Sequence, residues 1–266
     1  MHERSALMPA WDSEGDGPAL ILIHGTGGSR AAWDPVIPLL TPHRRVFAID
    51  LPGCGSSPAL PAEVMPTVPA LAETVERWMI EQDLAGAHVA GNSLGGGIAL
   101  EMAKGQLVAS ATALSPVGFF NAREFAYGSA SLRLTRIGAR VLTPVAPVVF
   151  RSRVFRTIAL WQALARPWRM PVENAISSAR AMATASDFGR GVAAAGDYRF
   201  SGMPAAPVTI AWGRRDRILF WRQAERARRL LPDARFIPLD GCGHVPMTDD
   251  PELVAEVILR GSGRDS

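Results

Sequence analysis

Lysine is all but missing from this chain: Lys104 stands alone, and the other 27 of the 28 basic residues are arginine. Cysteine is nearly as scarce. Cys54 and Cys242 are the only two, which excludes a disulfide framework and any cysteine-based metal spacing, and two reduced thiols are expected. Long apolar runs are absent as well. The longest, Val141 to Phe150, is interrupted by Pro144 and Pro147 and is about half of the ~20 residues that cross a bilayer. The opening Met1-His2-Glu3-Arg4 has no apolar centre of the kind a secretion signal needs. A soluble, cytoplasmic protein is the expectation, without internal repeats or low-complexity linkers.

What is present is enough for one sizeable core: 266 residues, 48% hydrophobic and 20% charged. The net charge of +3 hides an asymmetry. Residues 117–200 hold 12 arginines against four acids, a balance of +8, and the rest of the chain carries 16 basic residues against 21 acids.

The two ends alternate short apolar runs with helical patterns, which calls for a mostly parallel sheet with helices on both faces. Ala19 to Ile23, Arg45 to Ile49, Ala87 to Ala90, Ala109 to Leu114, Val208 to Trp212 and Arg235 to Leu239 read as strands. Between and after them, helices are predicted over Ser29 to Leu40, Thr67 to about Gln82, Leu94 to about Lys104, Phe220 to Leu231 and Pro251 to Leu259, with Gly261 to Ser266 as a frayed tail. Residues 117–200 break the alternation. They are rich in arginine, alanine and proline, offer no convincing strand, and read as several helices interrupted at Pro144, Pro147, Pro167 and Pro171. Such an insertion after one strand of a parallel sheet forms a cap over the sheet's carboxyl edge, where ligands bind. The domains are therefore a core of 1–116 and 201–266 and a cap of 117–200.

Chemistry is concentrated in a few glycine-flanked positions. Gly91-Asn92-Ser93-Leu94-Gly95 lies between a predicted strand and a predicted helix. A strand turning directly into a helix forces the apical residue into strained angles and presents its side chain, here the Ser93 hydroxyl, to the cleft. A serine hydroxyl needs a base, and there are five histidines to choose from. His2 is terminal, His43 follows Pro42 in a surface turn, His88 sits inside a strand, and His24 is better explained as a brace for its loop. His244 remains, in Gly241-Cys242-Gly243-His244-Val245-Pro246, a loop that can hang an imidazole into the cleft. The base in turn needs a carboxylate to hold its tautomer. Asp216 follows a strand through Gly213-Arg214-Arg215. Asp240 is a rival, and Asp249 and Asp250 better suit the cap of the last helix. The run His24-Gly25-Thr26-Gly27-Gly28 follows a buried strand and can aim backbone N–H groups into the cleft. The N–H groups of Thr26 and Leu94 are the expected oxyanion hole. A phosphate loop would need a downstream lysine where Ser29-Arg30 stands.

Five motifs in order, His24 to Gly28, Asp50 to Ser57, Gly91 to Gly96, Gly213 to Asp216 and Gly243 to Pro246, resemble those of α/β-hydrolases from Ala19 to about Leu259. The resemblance implies the α/β-hydrolase fold: a mostly parallel eight-stranded sheet, helices on both faces and an inserted all-helical cap. It also implies that Asp50 braces its loop without reacting, and the order Ser93, Asp216, His244 is the triad order of that fold. A serine at the elbow argues against haloalkane dehalogenases and epoxide hydrolases, which carry aspartate there. The elbow is similar to that of meta-cleavage product hydrolases, which cut carbon–carbon bonds. The chain departs from them in having Val245 where they usually carry tryptophan, and Gly27-Gly28-Ser29 where they usually carry Gly-Pro-Gly. A carboxylesterase working through an acyl-enzyme is the leading expectation, carbon–carbon hydrolysis the alternative. A non-catalytic receptor on the same fold is the third reading, and turnover of any ester separates it from the other two. No metal or organic cofactor is implied.

From Ser129 to Met170 there are eight arginines (Arg133, Arg136, Arg140, Arg151, Arg153, Arg156, Arg166, Arg169) and no acid. The bland reading is solvated arginines whose stems lie on apolar surface. The sharper ones are a site for apolar or anionic small-molecule esters, or contact with an acidic membrane surface. No nucleic-acid module accompanies the charge.

Overall fold

The computed structural model describes residues 8–263; His2 lies outside them. Seven strands form one sheet in the order β1-β3-β2-β4-β5-β6-β7. They are β1 (Trp11–Glu14), β2 (Ala19–Ile23), β3 (Arg45–Ile49), β4 (His88–Asn92), β5 (Ser110–Leu114), β6 (Val208–Gly213) and β7 (Arg235–Leu239). All neighbours pair in parallel except β1, which runs antiparallel to β3 from Trp11↔Ile49 to Glu14↔Val46. The eight strands expected are thus seven among the described residues. The polar run Trp-Asp-Ser-Glu of β1 is exposed at all four positions, and a charged edge of this kind is no template for a further strand.

The helices follow the sheet's needs. α1 (Ile37–Leu40), α2 (Val68–Glu81), α3 (Leu94–Met102), α9 (Trp221–Leu230), α10 (Pro246–Asp249) and α11 (Pro251–Gly261) belong to the alternating ends; α4 (Ala122–Leu142), α5 (Ala146–Val149), α6 (Arg153–Leu160), α7 (Val172–Thr184) and α8 (Phe188–Ala195) lie between β5 and β6. Thr67 caps α2 by accepting from the Ala70 N–H, as its position before an apolar-periodic run predicts. The single helix predicted over Ser29 to Leu40 is instead a 3-10 turn, Arg30–Trp33, followed by α1. Pro35 lies between them and has no N–H to donate to a continuous helix. The tail also differs: α11 runs through Gly261, and Ser262 is buried, accepting from the Arg44 guanidinium through both its hydroxyl and its carbonyl.

Alternation along the strands divides the core into two layers. Ile21 and Ile23 point to one face with Val89, Ile210 and Trp212, and are covered by Leu71, Val75, Trp78 and Met79 of α2 and by Ile98 of α3. Leu20 and Leu22 point to the other, covered by Trp33, Leu40 and the α11 residues Val254 and Ile258. Each such fully buried large side chain contributes about 1.5–3 kcal/mol. Strand order reverses at β2, whose neighbours are β3 and β4, and the carboxyl end of such a switch point is where an open parallel sheet forms a crevice.

The five helices between β5 and β6 include no strand, in keeping with the composition of residues 117–200. Glu124, buried at the start of α4, closes a capping box with Asn121 and pairs with Arg222 and Arg226 of α9. Asp187 accepts from the Leu60 N–H, and Arg190 donates to the carbonyls of Pro61 and Ala62. Both ends of the insert are thereby fastened to the sheet domain.

Candidate active site

β4 ends and α3 begins within one residue, Ser93, whose backbone sits at φ 57° and ψ −112°. A non-glycine residue held there is strained, and the surroundings must over-determine it. Its N–H donates to the Leu114 carbonyl at 2.9 Å and its carbonyl accepts from Gly97 and Val117. A Cβ on Gly91 would lie 2.1 Å from the Gly95 carbonyl oxygen, and one on Gly95 2.1 Å from that of Ile23. The glycines two before and two after the serine therefore let strand, helix and the neighbouring β2 approach one another.

His244 follows β7 and Asp216 follows β6, and the two side chains meet: Nδ1 of His244 lies 2.7 Å from Oδ2 of Asp216. With the carboxylate ionised, Nδ1–H donates and Nε2 is left as the acceptor. The other oxygen, Oδ1, accepts from the N–H groups of Ile218 and Leu219, both at 2.8 Å. Asp240, the rival, is exposed and faces Arg214. Ser93, Thr26 and His244 line one cavity of about 420 Å³. Ser93 Oγ makes no hydrogen bond to any described residue. Leu94 is the first residue of α3, its side chain buried in the core, so its N–H is among those a helix start leaves unpaired.

The loop bearing Thr26 is packed against the serine. A Cβ on Gly25 would come within 3.1 Å of Ser93 Cβ, and Gly27 adopts φ +70° beneath Met182 of α7. His24 is fully buried behind that loop. Its Nε2 accepts from the Leu51 N–H at 3.0 Å and its Nδ1 contacts the Gly25 carbonyl at 2.8 Å, while burial lowers its pKa from the ordinary 6.5. It is a brace, as is Asp50, which accepts from the backbone N–H groups of Arg30 and Ser56 and pairs with the Arg30 side chain.

Two residues that sequence reasoning missed or misplaced hold the histidine loop. Asn92 donates its amide to the His244 carbonyl at 2.9 Å and to the Leu114 carbonyl at 3.1 Å. Asp249, expected to cap a helix, instead accepts from three backbone N–H groups: Gly243 at 2.7 Å, Ala165 at 2.9 Å and Arg166 at 2.7 Å. Asp250 is the cap of α11. Val245 also donates to the Ala163 carbonyl. The histidine loop and the segment 163–166 of the insert thus form one hydrogen-bonded unit.

The cavity lining is apolar and small-polar: Leu132, Leu142, Phe150, Leu160 and Ile218 face it, and among the described residues that line it only His244 is ionisable. None of the eight insert arginines contributes. Arg136 donates to the Ala185 carbonyl, Arg140 to that of Ala183, and Arg156 is buried against the carbonyl of Phe150. Both cysteines are unpaired, and burial pushes each thiol up to about 12. Among the described residues no three His, Cys, Asp or Glu side chains gather as a metal site, and no helix is long and apolar enough to cross a membrane.

Residues 20–257 match the model of the alpha/beta hydrolase family. The chain is 29% identical over 255 residues to the pimeloyl-(acyl-carrier protein) methyl ester esterase of Aeromonas hydrophila, covering 92% of this chain and 95% of that protein. Among solved structures it superposes on a membrane phospholipase A described as a bacterial virulence factor, at TM-score 0.72 and 26% identity, covering 99% and 90% of the two chains. A thermophilic esterase from Thermogutta terrifontis shares the fold at TM-score 0.73 and 19% identity, over 95% and 92%. With the family's model spanning almost the whole sheet domain and insert, the chain belongs to the alpha/beta hydrolase family.

Proposed function

We propose that the protein is a serine hydrolase that cleaves a neutral, largely apolar carboxylic ester through an acyl-enzyme on Ser93. The observation that carries this reading is the pairing of His244 with Asp216 at 2.7 Å beside a strained Ser93 that opens on the same cavity. His244 Nε2 takes the Ser93 proton as Oγ attacks the carbonyl carbon. The oxyanion rests on the N–H groups of Thr26 and Leu94, each such donor being worth about 3 kcal/mol in the transition state. Collapse expels the alcohol, protonated by His244, and a water activated by the same imidazole releases the acid and frees Ser93. Residues 117–200 act as the cap that shapes the acyl pocket over the core of 1–116 and 201–266. The esterase and phospholipase named above agree with ester chemistry. The two unpaired cysteines suit a cytoplasmic setting.

The lining offers no lysine or arginine to meet the carboxylate of a ring-fission product, which favours ester over carbon–carbon cleavage. The test is a panel of p-nitrophenyl esters from C2 to C12 run beside a ring-fission dienoate, with a fluorophosphonate probe. Wild type is expected to turn over esters and take the label, and Ser93→Ala to do neither. Labelling that survives the substitution overturns the assignment of the nucleophile, and turnover of the dienoate alone overturns the substrate class.

A further inference from the structure

The outer face of the insert carries apolar side chains where a water-soluble surface should not. Leu134, Ile137, Val141, Val145 and Val148 recur at spacings of three and four along α4, the 3-10 turn after it and α5, and all are 47–70% exposed. Val154 and Ile158 of α6 and Trp161 just after it repeat the pattern, at 52–70% exposure. Contiguous exposed apolar surface of this kind marks an interaction site. Leu134 and Trp161 belong both to these stripes and to the cavity lining, so the mouth of the cavity opens within this face.

Charge selects the partner. Arg133 on α4, Arg153 on α6 and Arg151 between α5 and α6 are exposed, and their side chains form no hydrogen bond or ion pair with any described residue. No acid occurs from Ser129 to Met170. A second copy of the chain, pairing through the same patch, would set arginines against arginines with no carboxylate to receive them. An anionic bilayer meets both halves of the pattern: acyl chains cover the stripes, and headgroup phosphates meet the guanidiniums.

We propose that the outer face of α4, α5 and α6 docks on an anionic lipid bilayer and seats the cavity mouth against it, so that a lipid-borne ester enters without crossing water. Docking does not depend on catalysis, and Ser93→Ala should bind as wild type does. The experiment is co-sedimentation of the full chain with vesicles of one part phosphatidylglycerol to two of phosphatidylcholine, and with vesicles of phosphatidylcholine alone. Binding to the anionic vesicles is expected to be at least about tenfold stronger and to fade with salt. Ile137→Ser/Ile158→Ser and Arg151→Ser/Arg153→Ser should each weaken it about tenfold. Neither pair lines the cavity, so melting temperature and turnover of a soluble ester should be unchanged. The proposal is overturned by no vesicle binding, by equal binding to both vesicle types, or by binding that ignores both variants. A dimer in sedimentation that Ile137→Ser/Ile158→Ser dissolves would also overturn it and assign the face to a second copy.

Discussion

Asp216 divides its two oxygens between tasks: Oδ1 holds the backbone of Ile218 and Leu219, and Oδ2 holds the imidazole of His244. In Asp216→Asn the carbonyl oxygen would keep the two backbone donors and turn the amide NH₂ toward Nδ1. That forces the ring proton onto Nε2, where the proposed base must be bare. The expected outcome is ester turnover lowered by about 10⁴ with the melting temperature nearly unchanged, while Asp240→Asn keeps wild-type rates. The reverse pattern would name Asp240 as the acid. Ser93, Asp216 and His244 were readable because each stands in a short glycine-flanked run next to a strand end, where local crowding dictates residue type. Asn92 and Asp249 were not. Asn92 reaches His244 across 152 positions and Asp249 reaches Ala165 across 84, and such long-range contacts leave no local pattern.

Among the elements, strands buried on both faces announced themselves as apolar runs, and β1 did not, because an edge strand of Trp, Asp, Ser and Glu has no apolar face to reveal. Helix boundaries were recovered where a cap or glycine marks them, and lost where Pro35 splits one predicted helix into two turns. The clasp between the segment 163–166 and the histidine loop was invisible, since it rests on the carboxylate of Asp249. Three hydrogen bonds to one buried charge are each worth about 1.5–3 kcal/mol, and truncation leaves the buried N–H groups of Gly243 and Ala165 and the half-buried one of Arg166 unpaired. Asp249→Ala should therefore destabilise the fold by about 3–5 kcal/mol. It should also lower turnover about tenfold where the protein is still folded, by loosening the His244 loop. Asp250→Ala, which removes only a helix cap, should cost about 1 kcal/mol and leave turnover intact. Urea titration and kinetics on the two variants check this, and equal turnover in both would break the link between clasp and catalysis.

Over the whole molecule, the basic charge is kept out of the cavity: eight arginines lie between Ser129 and Met170, and none faces the pocket. A carboxylate-bearing ester would have to bury its charge unpaired, at a cost of several kcal/mol. Neutral soluble esters should accordingly exceed anionic analogues of equal length by about 100-fold or more in kcat/KM, with little response to salt. An anionic preference that fades with salt would place arginines in the substrate's path after all. One further consequence follows from the adjacency of β5 and β6, which pair directly although 93 residues lie between Leu114 and Val208. A loop whose two ends leave from neighbouring strands can be lengthened, shortened or replaced without disturbing the register of the sheet, so the insert is free to diversify. What it cannot discard is the stretch of backbone at 163–166, because the histidine loop leans on it. Any foreign cap grafted between β5 and β6 would have to bring its own pair of amides to Asp249 before a new specificity could be read from it.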